Sequence, residues 1–405
     1  MKKTVAFLFV CILLFSMAAP ALAADTSDLA GTTINVYNWG EYISDGSEGS
    51  LDVNAEFTKR TGIKVNYNNY DTNENMYAKL KSDGVSYDIV IPSDYMIQRM
   101  IDEDMLQKID FSNIPNYKYI DEKYKGLYFD PNDEYSVPYN VGMVGLIYNT
   151  TMVSEAPTSW SVMWDEQYQG KILMFDNPRD AFGIAQKLLG QSFNTTDEAD
   201  WQAAADKLKE QKPVLQGYVM DDIFRKMENG EAAIAPYYAG DFITMNANNP
   251  DLAFVYPQEG VNVFVDSICI PKNAKNKAAA EAYINFLLEP DIAVANANYL
   301  GYASPNTAVL THEDYELRGN EYLYPTEEQT PETEYFYNLP QETLTLMTNL
   351  WSELKASQSG DTETEQGSGY TWLYIGIGVV VAAAAGVIIY KVVQKKKRDF
   401  ADAED

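Results

Sequence analysis

The chain has 405 residues, of which 59 are acidic and 30 are Lys or Arg, so its formal net charge is −29. A surface of that sign repels nucleic acid and attracts cations, so we expect no nucleic-acid partner. The single histidine, His312, and the two cysteines exclude zinc sites built on His and Cys clusters and nearly exclude triads that need a His base. No GxxxxGK[ST] loop is present, and we predict neither an enzymatic activity nor a cofactor.

The first residues have the pattern of an export signal. Residues 1–23 begin Met-Lys-Lys, continue through an apolar run and close on Ala21-Leu22-Ala23, which is typical of a secretory signal peptide. Cys11 lies inside the apolar run, too early to be the lipidated cysteine of a bacterial lipoprotein. Once the signal is removed, Cys269 is the remaining thiol, so we expect no intrachain disulfide.

Strands and helices alternate through the following residues. The predicted strands cover residues 33–37, 64–70, 87–91, 135–148, 171–175, 232–237 and 263–270. The predicted helices cover residues 52–61, 74–81, 97–103, 197–212 and 278–288. This alternation predicts an α/β fold with mainly parallel pairing. The oxygen-rich segment 130–134 could coordinate calcium, but it lacks the glycine and the final Glu of an EF-hand, which favours a solvated turn.

The last part of the chain resembles a membrane anchor. Residues 370–393 contain an uncharged run long enough for the roughly 20 residues of a spanning helix. Basic residues follow that run, so the positive-inside rule predicts a single pass with residues 394–405 in the cytoplasm. Residues 356–369 have the composition of an acidic flexible linker. The bulk of the chain is then extracellular, or periplasmic if the cell has an outer membrane.

Aromatic residues gather at the carboxyl ends of the predicted strands, where ligands bind in open α/β sheets. They are Trp39, Tyr42, Tyr95, Tyr237, Tyr238 and Tyr302. Core packing explains any one ring, but several rings with Asp180 and Asp266 suit an alkyl chain that carries ammonium groups. The open alternatives are another organic cation, a sugar, or a carboxylate-dependent hydrolase.

Seven segments, in order, carry a family resemblance: YNWGEYI, EFTKRTGIKV, MYAKLKSDGVSYDIVIPSDYMIQRM, YSVPYNVG, TSWSVMWDEQYQGKI, DSICIPKNAKNKAAAEAYINFLLEPDIA and GYASPN. Together they resemble the bacterial spermidine/putrescine-binding proteins, the extracytoplasmic receptors of polyamine ABC importers. The resemblance covers about residues 33–355. It implies a polyamine ligand, putrescine or spermidine, and delivery to a permease that is driven by separate ATPase subunits.

The resemblance also implies a two-lobed, type II periplasmic-binding-protein-like fold with hinge-crossing strands. Residues 32–142 and 265–311 would form lobe 1, and residues 143–264 and 312–355 would form lobe 2. Six residues match ligand-contacting positions of the family: Trp39, Tyr42, Ser93, Tyr95, Asp266 and Tyr302.

Other positions depart from the family pattern. Asn177 and Asp180 align where well-known members have two acidic residues, so one carboxylate has become an amide. Tyr238 and Phe264 fall on family tryptophans, and Tyr337 is an approximate match for the polar contact of the last segment. The lost anion favours the shorter putrescine, and Gly40 leaves room where some members carry a hydroxyl.

Overall fold

The computed structural model describes residues 27–82 and 86–357. The predicted signal peptide (1–23), the transmembrane helix (370–393), the tail (394–405) and nearly all of the linker (356–369) lie outside the described residues. Of the helices within the described ranges, none combines the length and the apolar composition that a bilayer crossing requires.

Ten strands and eleven α-helices are formed by the described residues. The strands are β1 (Thr33–Trp39), β2 (Lys64–Tyr70), β3 (Ile89–Val90), β4 (Ser136–Asn149), β5 (Ile172–Phe175), β6 (Leu215–Val219), β7 (Ile234–Tyr238), β8 (Leu252–Val255), β9 (Val261–Cys269) and β10 (Thr333–Glu334). The helices are α1 (Val53–Thr61), α2 (Asn73–Lys81), α3 (Asp94–Asp102), α4 (Pro178–Leu188), α5 (Glu198–Gln211), α6 (Asp222–Glu228), α7 (Ala239–Asn248), α8 (Lys277–Leu287), α9 (Pro290–Leu300), α10 (Thr307–Thr311) and α11 (Gln341–Ala356).

The strands join in one continuous sheet with the order β2-β1-β3-β9-β4-β7-β5-β6, with β10 beside β9 and β8 beside β4. The outer pairs β1–β2, β1–β3, β5–β6 and β5–β7 are parallel. The central pairs β3–β9, β4–β9, β4–β7 and β4–β8 are antiparallel. The α/β fold class is therefore confirmed, whereas the prediction of mainly parallel pairing is wrong for the centre of the sheet.

The long strand β4 changes partners in the middle. Residues 136–143 pair with β9, and residues 144–149 pair with β7 and β8. Because nearly all of its side chains are buried, β4 is covered on both faces along its length. It is the element that links the two parallel ends of the sheet.

Local capping sets the start of several helices. Asp52 accepts a hydrogen bond from Ala55 N at 2.8 Å, and Thr72 accepts one from Asn75 N at 3.1 Å, so α1 and α2 begin at the next residues. Helix α5 is capped by Asp197, whose side chain accepts a hydrogen bond from Ala199 N. Pro290 is the first residue of α9, which follows α8 after two intervening residues.

The acidic turn at residues 130–134 is built around Asp130, whose carboxylate is engaged by the turn itself. Asp130 is buried, and its carboxylate accepts hydrogen bonds from the backbone N–H groups of Glu134, Tyr135 and Ser136 and from Ser136 Oγ. The segment is therefore a turn, as expected, but it is built around a buried carboxylate and not a solvated one.

Candidate functional site

The ten residues expected to contact a ligand lie together on the lining of one cavity. They are Trp39, Tyr42, Ser93, Tyr95, Asn177, Asp180, Tyr238, Phe264, Asp266 and Tyr302. The cavity has an empty volume of about 670 Å³, which includes solvent space at its mouth. It lies at the carboxyl ends of β1, β5 and β7 and beside the middle of β9, as the strand-end rule predicts.

Asp266 lies on the central strand β9, opposite Asn140 of β4. Tyr42 donates its hydroxyl to Asp266 Oδ2 at 2.7 Å. The second oxygen, Oδ1, is buried and has no hydrogen-bond partner among the described residues. Burial raises the pKa of Asp266 to about 6, against the opposing effects of the Tyr42 and Ser93 hydroxyls. The Tyr42 hydroxyl therefore positions this carboxylate, Ser93 lies beside it across a backbone bridge, and Oδ1 can accept a further donor.

Asp180 repeats this arrangement at another part of the cavity. It lies in the first turn of α4, and Tyr238 donates its hydroxyl to Asp180 Oδ2 at 2.9 Å. Burial raises the pKa of Asp180 to about 7; the tyrosine and Arg179 oppose the rise, while Glu74 adds to it. A cation bound beside Asp180 would favour the ionised form.

Asn177 is the N-cap residue of α4. Its side chain accepts a hydrogen bond from Arg179 N at 3.1 Å and thereby caps α4. The position that aligns with a family carboxylate thus holds an amide whose oxygen is already used by the backbone.

Rings form the walls of the cavity. Tyr42 and Tyr302 meet at 5.1 Å between ring centroids with nearly perpendicular planes, and Tyr238 meets Phe264 at 5.4 Å and 80°. Two glycines make space for these rings. A Cβ on Gly142 would lie 2.4 Å from the ring of Phe264, and a Cβ on Gly240 would lie 2.4 Å from that of Tyr302.

Trp39 and Tyr95 are held by the surrounding polar groups. Trp39 is the last residue of β1, two residues beyond the predicted end of the strand, and its Nε1 donates to Ile91 O at 2.9 Å. Tyr95 donates its hydroxyl to Glu74 Oε1 at 3.0 Å. Asn73 Nδ2 donates to Ser93 Oγ at 3.1 Å. These bonds fix the rings and the serine at the edge of the cavity.

Twelve lining residues were not among the ten predicted contacts, although Tyr237 was one of the aromatic residues noted at the predicted strand ends. They are Gly40, Glu41, Asn73, Asp94, Arg179, Met220, Asp221, Phe224, Tyr237, Asp241, Asn262 and Phe336. Asp241 follows the carboxyl end of β7, which was predicted, so the position of residues at strand ends could have identified it; Asp221 follows β6, a strand that was not predicted. In the last segment the structure places Phe336 at the cavity, whereas Tyr337 is 46% exposed and lies outside the lining.

The cavity lining is strongly acidic. Its carboxylates are Glu41, Asp94, Asp180, Asp221, Asp241 and Asp266. Among the lining residues Arg179 is the one cation, and its guanidinium donates to Phe193 O, Asn194 Oδ1 and Tyr337 O. Within residues 27–82 and 86–357, the cavity included, His, Cys, Asp and Glu form no cluster that could hold a metal ion. The site therefore suits an organic cation with apolar segments between its charges.

Comparisons with known proteins give the same assignment. Residues 53–320 match the family model of the bacterial extracellular solute-binding proteins. The chain is 39% identical over 319 residues to the spermidine/putrescine-binding periplasmic protein of Escherichia coli, covering 77% of this chain and 89% of that protein.

Two solved structures are similar over nearly their whole length. The putative spermidine/putrescine ABC transporter protein of Listeria monocytogenes is 36% identical with a TM-score of 0.77, covering 81% of this chain and 100% of that one. The spermidine/putrescine ABC transporter substrate-binding protein of Streptococcus pneumoniae is 35% identical with a TM-score of 0.66, covering 80% and 98%. The chain thus has a periplasmic-binding-protein-like fold and belongs to the bacterial extracellular solute-binding proteins, in the family of the spermidine/putrescine-binding proteins, which bind solutes and are not enzymes.

Proposed function

We propose that this protein is an extracytoplasmic receptor that binds a linear polyamine, putrescine or spermidine, and delivers it to an ABC transporter permease with separate ATPase subunits. One observation carries the proposal: two buried carboxylates, Asp180 and Asp266, are each positioned by a tyrosine hydroxyl inside an aromatic cavity. The relatives named above are polyamine-binding proteins by description, which supports the same ligand class.

The energetics require both parts of the site. Burying four methylenes against rings contributes about 3 kcal/mol at ~0.8 kcal/mol each. A cation over a ring adds roughly 0.5–2 kcal/mol. Micromolar affinity needs about 8 kcal/mol net, so charge-assisted hydrogen bonds from the ligand ammonium groups to Asp180 and Asp266 must supply the difference.

The proposal includes closure of two lobes around the ligand. Residues 32–142 with 265–311 form one lobe, and residues 143–264 with 312–355 form the other. The change of partners along β4, between residues 143 and 144, supports a hinge at this boundary. The cavity lining supports it too, because Tyr42 and Asp266 come from the first lobe and Asp180 and Tyr238 from the second.

Isothermal titration calorimetry of the purified, extensively dialysed protein tests the ligand class. We expect putrescine or spermidine to bind with a dissociation constant near the micromolar range, and neutral sugars to give no heat of binding. Heat from sugars alone, or from no polyamine in a panel of diamines and triamines, would overturn the proposal.

The proposal also places the receptor on the cell membrane through residues 370–393. The support is sequence composition: an uncharged run followed by five basic residues from Lys391 to Arg398. In fractionated cells we expect the protein in the membrane pellet, extractable by detergent but not by carbonate. Recovery of the protein from the culture medium, with residues 370–393 removed, would contradict the proposed membrane attachment. The proposed ligand binding would not be affected.

A further inference from the structure

Strand β4 has an irregularity directly opposite the cavity carboxylate Asp266. The pairing register shifts between Pro138 and Asn140, which leaves Tyr139 as an extra residue on this strand. Asn140 then pairs directly with Asp266. Residues opposite each other in an antiparallel pair have Cβ atoms about 4.5–5.5 Å apart on one face, so the Asn140 side chain lies beside that of Asp266. Bulges of this kind re-aim side chains and are frequent beside functional sites.

The extra residue, Tyr139, holds the backbone of Tyr42. Its hydroxyl donates to Tyr42 O at 3.0 Å and accepts from Asn296 Nδ2 at 2.7 Å. The two tyrosine rings also meet, with 5.7 Å between their centroids. Because Tyr42 in turn donates its hydroxyl to Asp266 Oδ2, the bulge supports the partner of the cavity carboxylate from behind.

The next residue, Asn140, has a buried donor that the fold itself does not use. Its side chain is buried, and Nδ2 has no hydrogen-bond partner among the described residues. A buried donor without an acceptor destabilises a fold, so a purely structural role would favour an apolar residue at this position. Asn140 is also absent from the described cavity lining, so a direct contact with the ligand does not explain it.

The acceptor that fits this donor is the hydroxyl oxygen of Tyr42. Cross-strand pairing places the Asn140 amide beside Asp266, and the Tyr42 hydroxyl lies 2.7 Å from Asp266 Oδ2. Burial, followed by Asp266, raises the pKa of Tyr42, and the Asn140 side chain opposes the rise, as a donor beside the phenolic oxygen does. A hydroxyl has one proton and two lone pairs, so Tyr42 can accept from Asn140 while it donates to Asp266.

We propose that Asn140 is a positioning residue of the polyamine site: its amide donates to the Tyr42 hydroxyl, which directs the hydroxyl proton to Asp266 Oδ2 and leaves Oδ1 for a ligand ammonium. The inference rests on the proposed polyamine-binding function. Without the amide the hydroxyl is free to turn, and ordering of the hydroxyl and the carboxylate then opposes binding. The effect applies to every ligand that places an ammonium at Asp266, diamine and triamine alike.

A double-mutant cycle read by calorimetric titration of putrescine and spermidine tests the assignment. Asn140→Leu keeps roughly the size of the side chain and removes the donor, so we expect the affinity for both ligands to fall about three- to tenfold. In a Tyr42→Phe background the hydroxyl is absent, and the same substitution should change affinity by less than about twofold. An equal loss in both backgrounds would overturn the inference, because Asn140 would then act on the shape of the site and not through the hydroxyl.

Asn140→Thr tests whether a donor is what matters. Its hydroxyl restores a donor on a β-branched side chain that suits a strand, so we expect it to bind both ligands about twofold or more tightly than Asn140→Leu does. A Thr variant as weak as the Leu variant would overturn the role of the donor. Thermal melts of each variant establish that it is folded.

Asn149→Leu is the matched control. Asn149 is also a buried asparagine of β4, it lies outside the described cavity lining, and its side chain accepts from Thr151 N at 2.9 Å. This variant should melt at a lower temperature and keep the affinity for both ligands. Unchanged affinity in Asn140→Leu would overturn the inference while polyamine binding stands. Failure of the unaltered protein to bind either polyamine would instead overturn the proposed function.

Discussion

The hydroxyl of Tyr42 donates to Oδ2 of Asp266 at 2.7 Å, and Oδ1 of the same buried carboxylate lacks a partner among the described residues. A buried acceptor without a donor costs free energy, so the protein without ligand maintains this group at the expense of its own stability. A ligand ammonium would satisfy the free oxygen. Asp266 is therefore the residue on which the proposed binding mode depends most directly.

Replacing Asp266 with Asn should weaken binding of both putrescine and spermidine by tenfold or more. The amide keeps the size of the side chain but removes the counter-charge of a buried ammonium. Calorimetry measures the effect, with Asp291→Asn as the control because Asp291 is exposed and lies outside the cavity lining. Unchanged affinity in the Asp266 variant would remove this residue from the binding site.

Polyamine affinity should fall as the pH is lowered from about 8 to 5. Burial raises the pKa of Asp180 to about 7 and that of Asp266 to about 6, so these groups are partly protonated in the ligand-free site. The ligand amines, with a pKa near that of lysine at about 10.4, stay charged throughout. Binding must then release protons, which calorimetry in buffers of different ionisation enthalpy detects. A pH-independent affinity with no proton release would contradict the raised pKa values of Asp180 and Asp266 or their contact with the ligand.

Removing the Asp180 charge should stabilise the ligand-free protein more at pH 7.5 than at pH 5.5. The pKa of Asp180 in the folded protein, about 7, lies above the value of an Asp in the unfolded chain, so folding is favoured while this carboxyl is protonated. That contribution to the free energy of unfolding is lost as the pH rises toward 7. We expect Asp180→Asn to raise the melting temperature by roughly 2–5 °C at pH 7.5. At pH 5.5 the gain should be smaller. A gain that does not depend on pH would show that Asp180 titrates in the ordinary range.

Replacing Gly240 with Ala should destabilise the fold and weaken binding. Its Cβ would lie 2.4–2.6 Å from three ring atoms of Tyr302, so the ring must move toward the cavity. Overpacking of this kind costs about 1–3 kcal/mol of unfolding free energy, measurable by urea denaturation. Gly217→Ala is the matched control, since a Cβ there meets no atom within 4 Å. Equal stability of the two variants would mean that the Tyr302 ring can move away from the added Cβ without a cost in unfolding free energy.

Replacing Asp130 with Ala should lower the free energy of unfolding by about 2–4 kcal/mol, because four hydrogen bonds to a buried carboxylate are lost. Glu134→Gln, in the same turn, should change stability little because its ion pair with Lys108 is largely exposed. Calcium or a chelator should leave the melting temperature of the unaltered protein unchanged. A calcium-dependent rise that both variants abolish would restore the calcium-site interpretation.

Two signals in the sequence located the principal cavity residues. One is the position of aromatic and acidic residues at the carboxyl ends of predicted strands, and the other is the set of family motifs. Strand β2 was predicted with its observed bounds because an apolar and polar pattern over seven residues ends at a cap. The positions of Trp39, Asp180 and Tyr238 around one cavity follow from the rule that strands of one sheet end at one edge. Their roles in ligand binding stay predictions.

Sequence reasoning failed where the outcome depends on which strands become neighbours. The central position of β4 and β9 is set by long antiparallel pairing between distant segments, and a local pattern cannot distinguish that from parallel pairing. Phe336 lines the cavity and Tyr337 does not, because one side chain packs inward against Tyr95 and Phe193 and the next points outward.

The sequence by itself determined the α/β class, the family and the acidic, aromatic character of the site, because these depend on composition, periodicity and motifs along the chain. Only the tertiary structure decided that Asp221 fits against Gly40. These two residues are far apart in the chain, yet the space between them is too small for a methyl group on Gly40. Such a close fit arises only when the elements are packed together.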